Sequence, residues 1–160
     1  MTTTLADYRD RIYDVMAFQD VVPVGEALLT QALFTTDSGG TICTGIQKLA
    51  QQFVIEFLTE EGSDPYELDR GTHFMISALR GEFLSEADIF TGFALAKSKI
   101  QRRFNLIESD IVDLNSEERF QDAELKQIVL TEEAAQLFIT ITSAAETARQ
   151  VIVPIPTLVL

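Results

Sequence analysis

Hydrophobic and polar positions along this 160-residue chain follow two periods in turn, a helical one first and an extended one after about Asn115. Near the start, Leu5, Tyr8, Ile12, Val15 and Met16 recur at spacings of three and four behind a Thr cluster, which predicts a short amphipathic helix. Its apolar face can be covered by its own domain or by another subunit. Val21 to Leu33 is mostly apolar but interrupted by Pro23 and Gly25, and Thr35 to Gly40 is polar and Gly-rich. That pattern reads as an extended arm or strand followed by a loop.

The clearest helix starts near Thr44, where Gln47 three residues later completes the pattern of a capping box. Ile46, Leu49, Ala50, Phe53 and Phe57 then form its buried stripe. Gly62, Pro65 and Gly71 end it and make Thr59 to Gly71 a structured loop. Phe74 to Leu84 reads as a short helix, and Ser85 with Asp88 marks the start of a longer one. Ile89, Phe93, Ala96, Ile100, Phe104 and Ile107 keep helical spacing through about six turns.

Beyond Asn115, Leu125 to Leu130 is one short extended run, Thr131 to Ala135 a turn, and Leu137, Ile139 and Ile141 alternate strictly in a second run. Val151, Val153 and Ile155 alternate in the last, Val151 to Leu160, which also holds Pro154 and Pro156. Proline lacks the N–H that a central strand must donate, so this run belongs at a sheet edge or beyond one. The fold class is therefore α+β, with N-terminal helices followed by a small C-terminal β-sheet that has an exposed edge strand. The length suits a single domain spanning 1–160, with 1–40 as its N-terminal helix and arm.

Composition narrows the partners. A content of 46% hydrophobic residues with eleven Phe is enough for a packed core. Twelve basic against twenty-five acidic residues give a net charge of −13, which repels phosphate backbones and anionic membrane surfaces, so neither nucleic acid nor membrane is an expected partner. Lys97, Lys99, Arg102 and Arg103 gather four of the basic residues near the end of the long helix. There they complement the negative end of its dipole or, alternatively, form a docking patch for an acidic partner. The first ten residues lack the basic start and apolar core of an export signal, and no run is long enough to span a membrane.

Candidate chemistry is thin. Glu60 with Glu61 and Glu117 with Glu118 are carboxylate pairs in polar segments, where solvation keeps pKa values ordinary. His73 is the sole histidine and Cys43 the sole cysteine, with no positioned base, nucleophile elbow or zinc spacing around them. Gly39, Gly40 and Gly45 lack the Lys-Ser/Thr ending of a phosphate loop. The sequence predicts no catalytic residue, cofactor or metal site.

The stretch Thr41 to Met75, TICTGIQKLAQQFVIEFLTEEGSDPYELDRGTHFM, has a Thr-Gly entry, a helix with Gln, Lys and Gln on its polar side, then Gly-Ser-x-Pro and Asp-Arg-Gly-Thr. It resembles the baseplate wedge proteins of contractile phage tails that act as sheath initiators, a family long described as baseplate lysozyme-like. The chain departs from the family in showing Ser116-Glu117-Glu118-Arg119 where many members carry Glu-Pro-Arg at the start of the sheet.

The resemblance implies a non-enzymatic structural protein of the virion tail baseplate, assembled in the host cytoplasm in multiple copies, about six, around the tail. Its implied partners are the tail sheath protein, the baseplate wedge proteins and the tail tube or hub, and its implied mechanism is β-strand addition. On that reading Leu137, Ile139, Ile141, Val151, Val153 and Ile155, with Lys97, Arg102 and Arg103, are the partner-binding residues. Removal of Val151 to Leu160 is then expected to leave a folded domain that no longer starts a sheath. The alternatives are a peptidoglycan hydrolase of the same tail, or a tail completion or connector protein.

Overall fold

A computed structural model describes residues 14–15, 42–130 and 134–156. The elements run β1 (Asp14–Val15), β2 (Ile42–Cys43), α1 (Gly45–Leu58), α2 (Phe74–Leu79), α3 (Glu86–Asp110), a 3-10 turn at Ser116–Glu118, then β3 (Phe120–Leu130), β4 (Ala134–Ser143) and β5 (Ala148–Pro156). This is the expected α+β layout, helices first and an antiparallel sheet last, in the order β3-β4-β5. Of the first predicted helix, Leu5, Tyr8, Ile12 and Met16 lie outside the described residues, as do Val21 to Leu33 and Thr35 to Gly40. Val15 lies in β1, which pairs antiparallel with β2, so the helical stripe does not run through it.

Helix α1 forms where the sequence places it, and Leu49, Ala50, Phe53 and Phe57 are buried. Its capping box does not form: Thr44 is the N-cap but its side chain makes no cap hydrogen bond. The Gly45 N–H instead donates to Glu118 Oε1 at 3.2 Å, 73 residues further on. The helix ends at an extended Thr59, and Gly62 lies beyond that end rather than capping it. Gly71 is the glycine on which the following loop depends. Its φ is +85°, and a Cβ there would sit 2.4 Å from the Thr59 carbonyl oxygen. Only a residue without a side chain lets the two loop ends pair through Thr72 N–H to Thr59 O at 2.8 Å.

Helix α3 has the reciprocal cap its sequence announces, with Asp88 N–H donating to Ser85 Oγ and Ser85 Oγ–H donating to Asp88 Oδ2 at 2.8 Å. Ile89, Phe93, Ala96, Ile100 and Phe104 are buried along it, whereas Ile107 is 43% exposed, so the stripe ends a turn early. Phe53 sits at the centre of the core, its ring near those of Phe57, Phe93 and Phe120.

The three helices cover one face of the sheet, where Phe120, Ala123, Leu125, Leu137, Ile139, Ile141, Val153 and Ile155 join the helical stripes in one apolar cluster. β4 is buried on both faces, since Gln136 and Phe138 alternate with the core residues and are buried too. β3 begins five residues before the predicted run. Two register shifts, between Phe120 and Asp122 and between Leu125 and Gln127, interrupt its alternation. Ala135, expected in the turn, is a fully buried β4 residue.

Candidate functional site

The expected assembly surface is the first thing the structure corrects. Leu137, Ile139, Ile141 and Val153 are fully buried, Ile155 is 3% exposed, and Val151 packs against the same core. The first five side chains hold the sheet to the helices and cannot meet a partner, while Val151 is only partly buried. What the sheet offers instead is backbone, because β3 and β5 each have a paired neighbour on one side only among the described residues. The placement also overturns the expectation for the truncation. Removing Val151 onward takes two core side chains and most of β5, at about 1.5–3 kcal/mol per buried side chain before any ladder bond is counted, so the shortened chain is expected to lose this fold.

The edge assignment of the proline-bearing run holds. β5 pairs with β4 without a register shift from Thr142 opposite Ala148 to Ala134 opposite Pro156. A four-residue connection joins the two strands: Ser143 N–H donates to Thr147 O at 2.9 Å, Glu146 N–H donates to Ser143 O at 2.9 Å, and Glu146 adopts φ 60°. That is a type I turn followed by a left-handed residue, a common hairpin solution.

The basic cluster on α3 faces the chain itself. Lys97 Nζ pairs with Asp122 Oδ1 on β3 at 2.9 Å, Lys99 pairs with Glu61, and Arg103 pairs with Glu67 and, at 3.3 Å, with Glu56 Oε2. Arg102 is exposed and makes no ion pair among the described residues. The cluster is thus a clamp on the 59–73 loop and on β3, in which Lys97 and Arg103 are engaged within the chain. None of its members falls in the last turn of α3, so the dipole explanation is corrected.

Glu56 is the hub of the clamp, accepting from Arg70 Nε at 3.0 Å and from Gly71 N–H at 3.3 Å while paired with Arg103. The Lys99 hydrogen bond holds Glu61 below the usual carboxylate range. Backbone donation from Tyr66 does the same for Asp64. His73 is exposed, lies 3.1 Å from Glu61, and lines with Phe74, Phe83, Leu95 and Lys99 an open cleft of about 410 Å³ beside α3.

A cleft of about 230 Å³ between α1, α3 and the 3-10 turn gathers Asp14, Glu56, Glu108 and Glu118 with Lys48 and Arg70. Glu118 is 5% exposed; besides the Gly45 N–H it faces Lys48 Nζ at 3.7 Å, itself buried. Breaking one side of such a buried pair typically costs about 3–5 kcal/mol, because the remaining charge is left in a poor solvent. Burial pushes the Glu108 carboxyl above its ordinary value, although the Phe120 N–H donates to it at 2.7 Å and Arg119 lies nearby. Sequence reasoning passed over Glu108 and read Glu118 only as half of a solvated carboxylate pair, which its burial corrects. Glu108 sits in a polar helix end and Glu118 in an acidic stretch, and their partners in Phe120 and Gly45 are joined to them only by the fold.

Elsewhere the chemistry is quiet. Burial pushes the Cys43 thiol up, away from the thiolate a nucleophile needs. Among the described residues no group of three or more His, Cys, Asp or Glu is placed to hold a metal, and no helix is long and apolar enough to cross a membrane. Comparison with protein-family models, with curated proteins and with solved structures returned no match.

Proposed function

We propose that this chain is a non-enzymatic structural subunit of the baseplate of a contractile phage tail, where it starts the sheath by β-strand addition and touches the baseplate wedge proteins. The observation that carries this reading is a C-terminal sheet of strands 11, 10 and 9 residues long, braced by helices on one face and unpaired at both edges among the described residues. A rigidly held ladder with free N–H and C=O groups is what a templating subunit presents to the first strand of a polymer. The likeness of Thr41 to Met75 to sheath initiators supplies the setting: multiple copies around the tail, next to the sheath and the tube or hub.

The test is seeding. Purified sheath protein mixed with this chain polymerises earlier and at lower concentration than alone, as followed by light scattering and electron microscopy. Unchanged polymerisation sinks the proposal.

One observation favours the hydrolase alternative, namely Glu108, a carboxyl raised by burial beside other carboxylates in a cleft. Against it, Glu56 and Glu118 are each tied to backbone N–H groups and to a cation, which leaves neither free to act on a substrate. Clearing of purified cell walls that is lost in Glu108→Gln would establish the alternative.

A further inference from the structure

The direction of the β5 backbone follows from one hydrogen bond. Ser143 N–H donates to Thr147 O, so this closing pair of the β4–β5 hairpin is a hydrogen-bonded one. Antiparallel pairs alternate, which makes Ile141 with Arg149, Ile139 with Val151, Leu137 with Val153 and Ala135 with Ile155 the bonded pairs. The residues between them, Ala148, Gln150, Ile152, Pro154 and Pro156, therefore turn their backbone groups away from β4 towards the free edge. The two prolines cost the sheet no ladder bond, and they delete the last two outward donors.

We propose that the edge of β5 left unpaired among the described residues receives one short extended segment of a different polypeptide along Ala148–Ile152, and that Pro154 sets where the pairing stops. This deepens the strand-addition reading above by naming the edge, the window and the kind of strand. Three outward N–H groups at alternate positions define a window of five residues, about 16 Å at the usual rise of a strand. The Glu146 turn closes one end and Pro154 the other.

Charge selects the occupant. Two copies of a chain carrying −13 repel one another, which disfavours a self-paired edge. The window contains no carboxylate and only Arg149 as a charged residue, unlike β3 with Asp122 and Glu124. The chain's overall −13 favours a neutral or basic segment over an acidic one, and β-branched residues suit an extended strand. Its side chains on the face away from the helices would lie beside Ile152, which is itself opposite Phe138.

The experiment uses the full chain and a capped peptide, acetyl-Lys-Thr-Val-Thr-Val-Thr-Lys-amide, with backbone amides followed by NMR. Without peptide, the amides of Gln150 and Ile152 exchange quickly while those of Val151 and Val153 are protected. Added peptide shifts and protects Ala148, Gln150 and Ile152. Gln150→Pro melts within a few degrees of the wild type and weakens binding by roughly tenfold, as expected for lost backbone bonds; Ala148→Pro does the same independently. Four results overturn the proposal: protected Gln150 and Ile152 amides in the free monomer, unfolding of both proline variants, peptide protection along β3 or nowhere, and a wild-type dimer that Gln150→Pro dissolves. No sheath protein enters this measurement, so its failure leaves the seeding test standing, and failed seeding leaves the window standing.

Discussion

The two edges of one sheet discourage unplanned pairing by different means. β3 is irregular, with two register shifts, and carries Asp122, Glu124 and Lys126 on a strand otherwise tied to α3. β5 is regular throughout, nearly uncharged, and blocked only at its far end by Pro154 and Pro156. A bulge disturbs both sides of a strand at once and twists the whole edge away. A proline at an outward-pointing position alters one side alone and leaves the rest of that edge open. β3 is closed by its shape and β5 is open in part.

The most severe way to break this comparison is to move a proline by one residue. Val153→Pro, next to the native Pro154, removes an N–H that β4 needs and takes a fully buried side chain from the core. The expected loss is about 3 kcal/mol or more, enough to unfold a marginal domain, read by chemical denaturation. A variant that melts like the wild type would show that the alternation along β5 is assigned the wrong way round.

That dependence on alternation explains which parts of the molecule were legible in the sequence. The stripes of α1 and α3, the Ser85 cap and the edge character of β5 follow from local spacing and from the missing proline N–H. The start of β3 did not, because Gln121 and Lys126 are extra residues that break the period of two, and a bulge has no reliable signature without its partner strand. The same apolar alternation that located β4 and β5 pointed to the wrong side of them. Leu137, Ile139 and Ile141 are a face, and whether a face meets helices or a partner depends on what the rest of the chain places over it. The Glu118 cap of α1 spans 73 residues, beyond any reading of local motifs.

A smaller perturbation sharpens the contrast from the β3 side. Lys126 is the extra residue between Leu125, opposite Ile139, and Gln127, opposite Phe138. Deleting it removes this register shift, leaving the one at Gln121, without turning any core side chain to the wrong face, and it also removes the ion pair with Glu124. Fold stability is expected to change by no more than about 1 kcal/mol. The straightened edge should instead associate with itself, seen as a concentration-dependent rise in sedimentation coefficient over the wild type. Unaltered sedimentation would mean that the bulge guards nothing.

The finest difference between the edges is their response to pH. β3 is fastened at its first residue by the Glu108 carboxyl, which accepts from Phe120 N–H, whereas the β5 window contains no carboxylate. Burial raises Glu108 above its ordinary 4.5 in the folded chain. Between that value and the raised one the folded state holds the extra proton, so stability contributed at this site falls as pH rises through the interval. Below the interval both states are protonated and the contribution is constant. Glu108→Gln keeps an acceptor for Phe120 and removes the titration. Its stability relative to the wild type should therefore climb with pH across the interval and then level off, with the same trend in amide protection at the start of β3 and none along Ala148–Ile152. A flat difference across the interval would show that Glu108 is not perturbed by its burial, and equal trends at both edges would show that the two are coupled through the sheet rather than held separately.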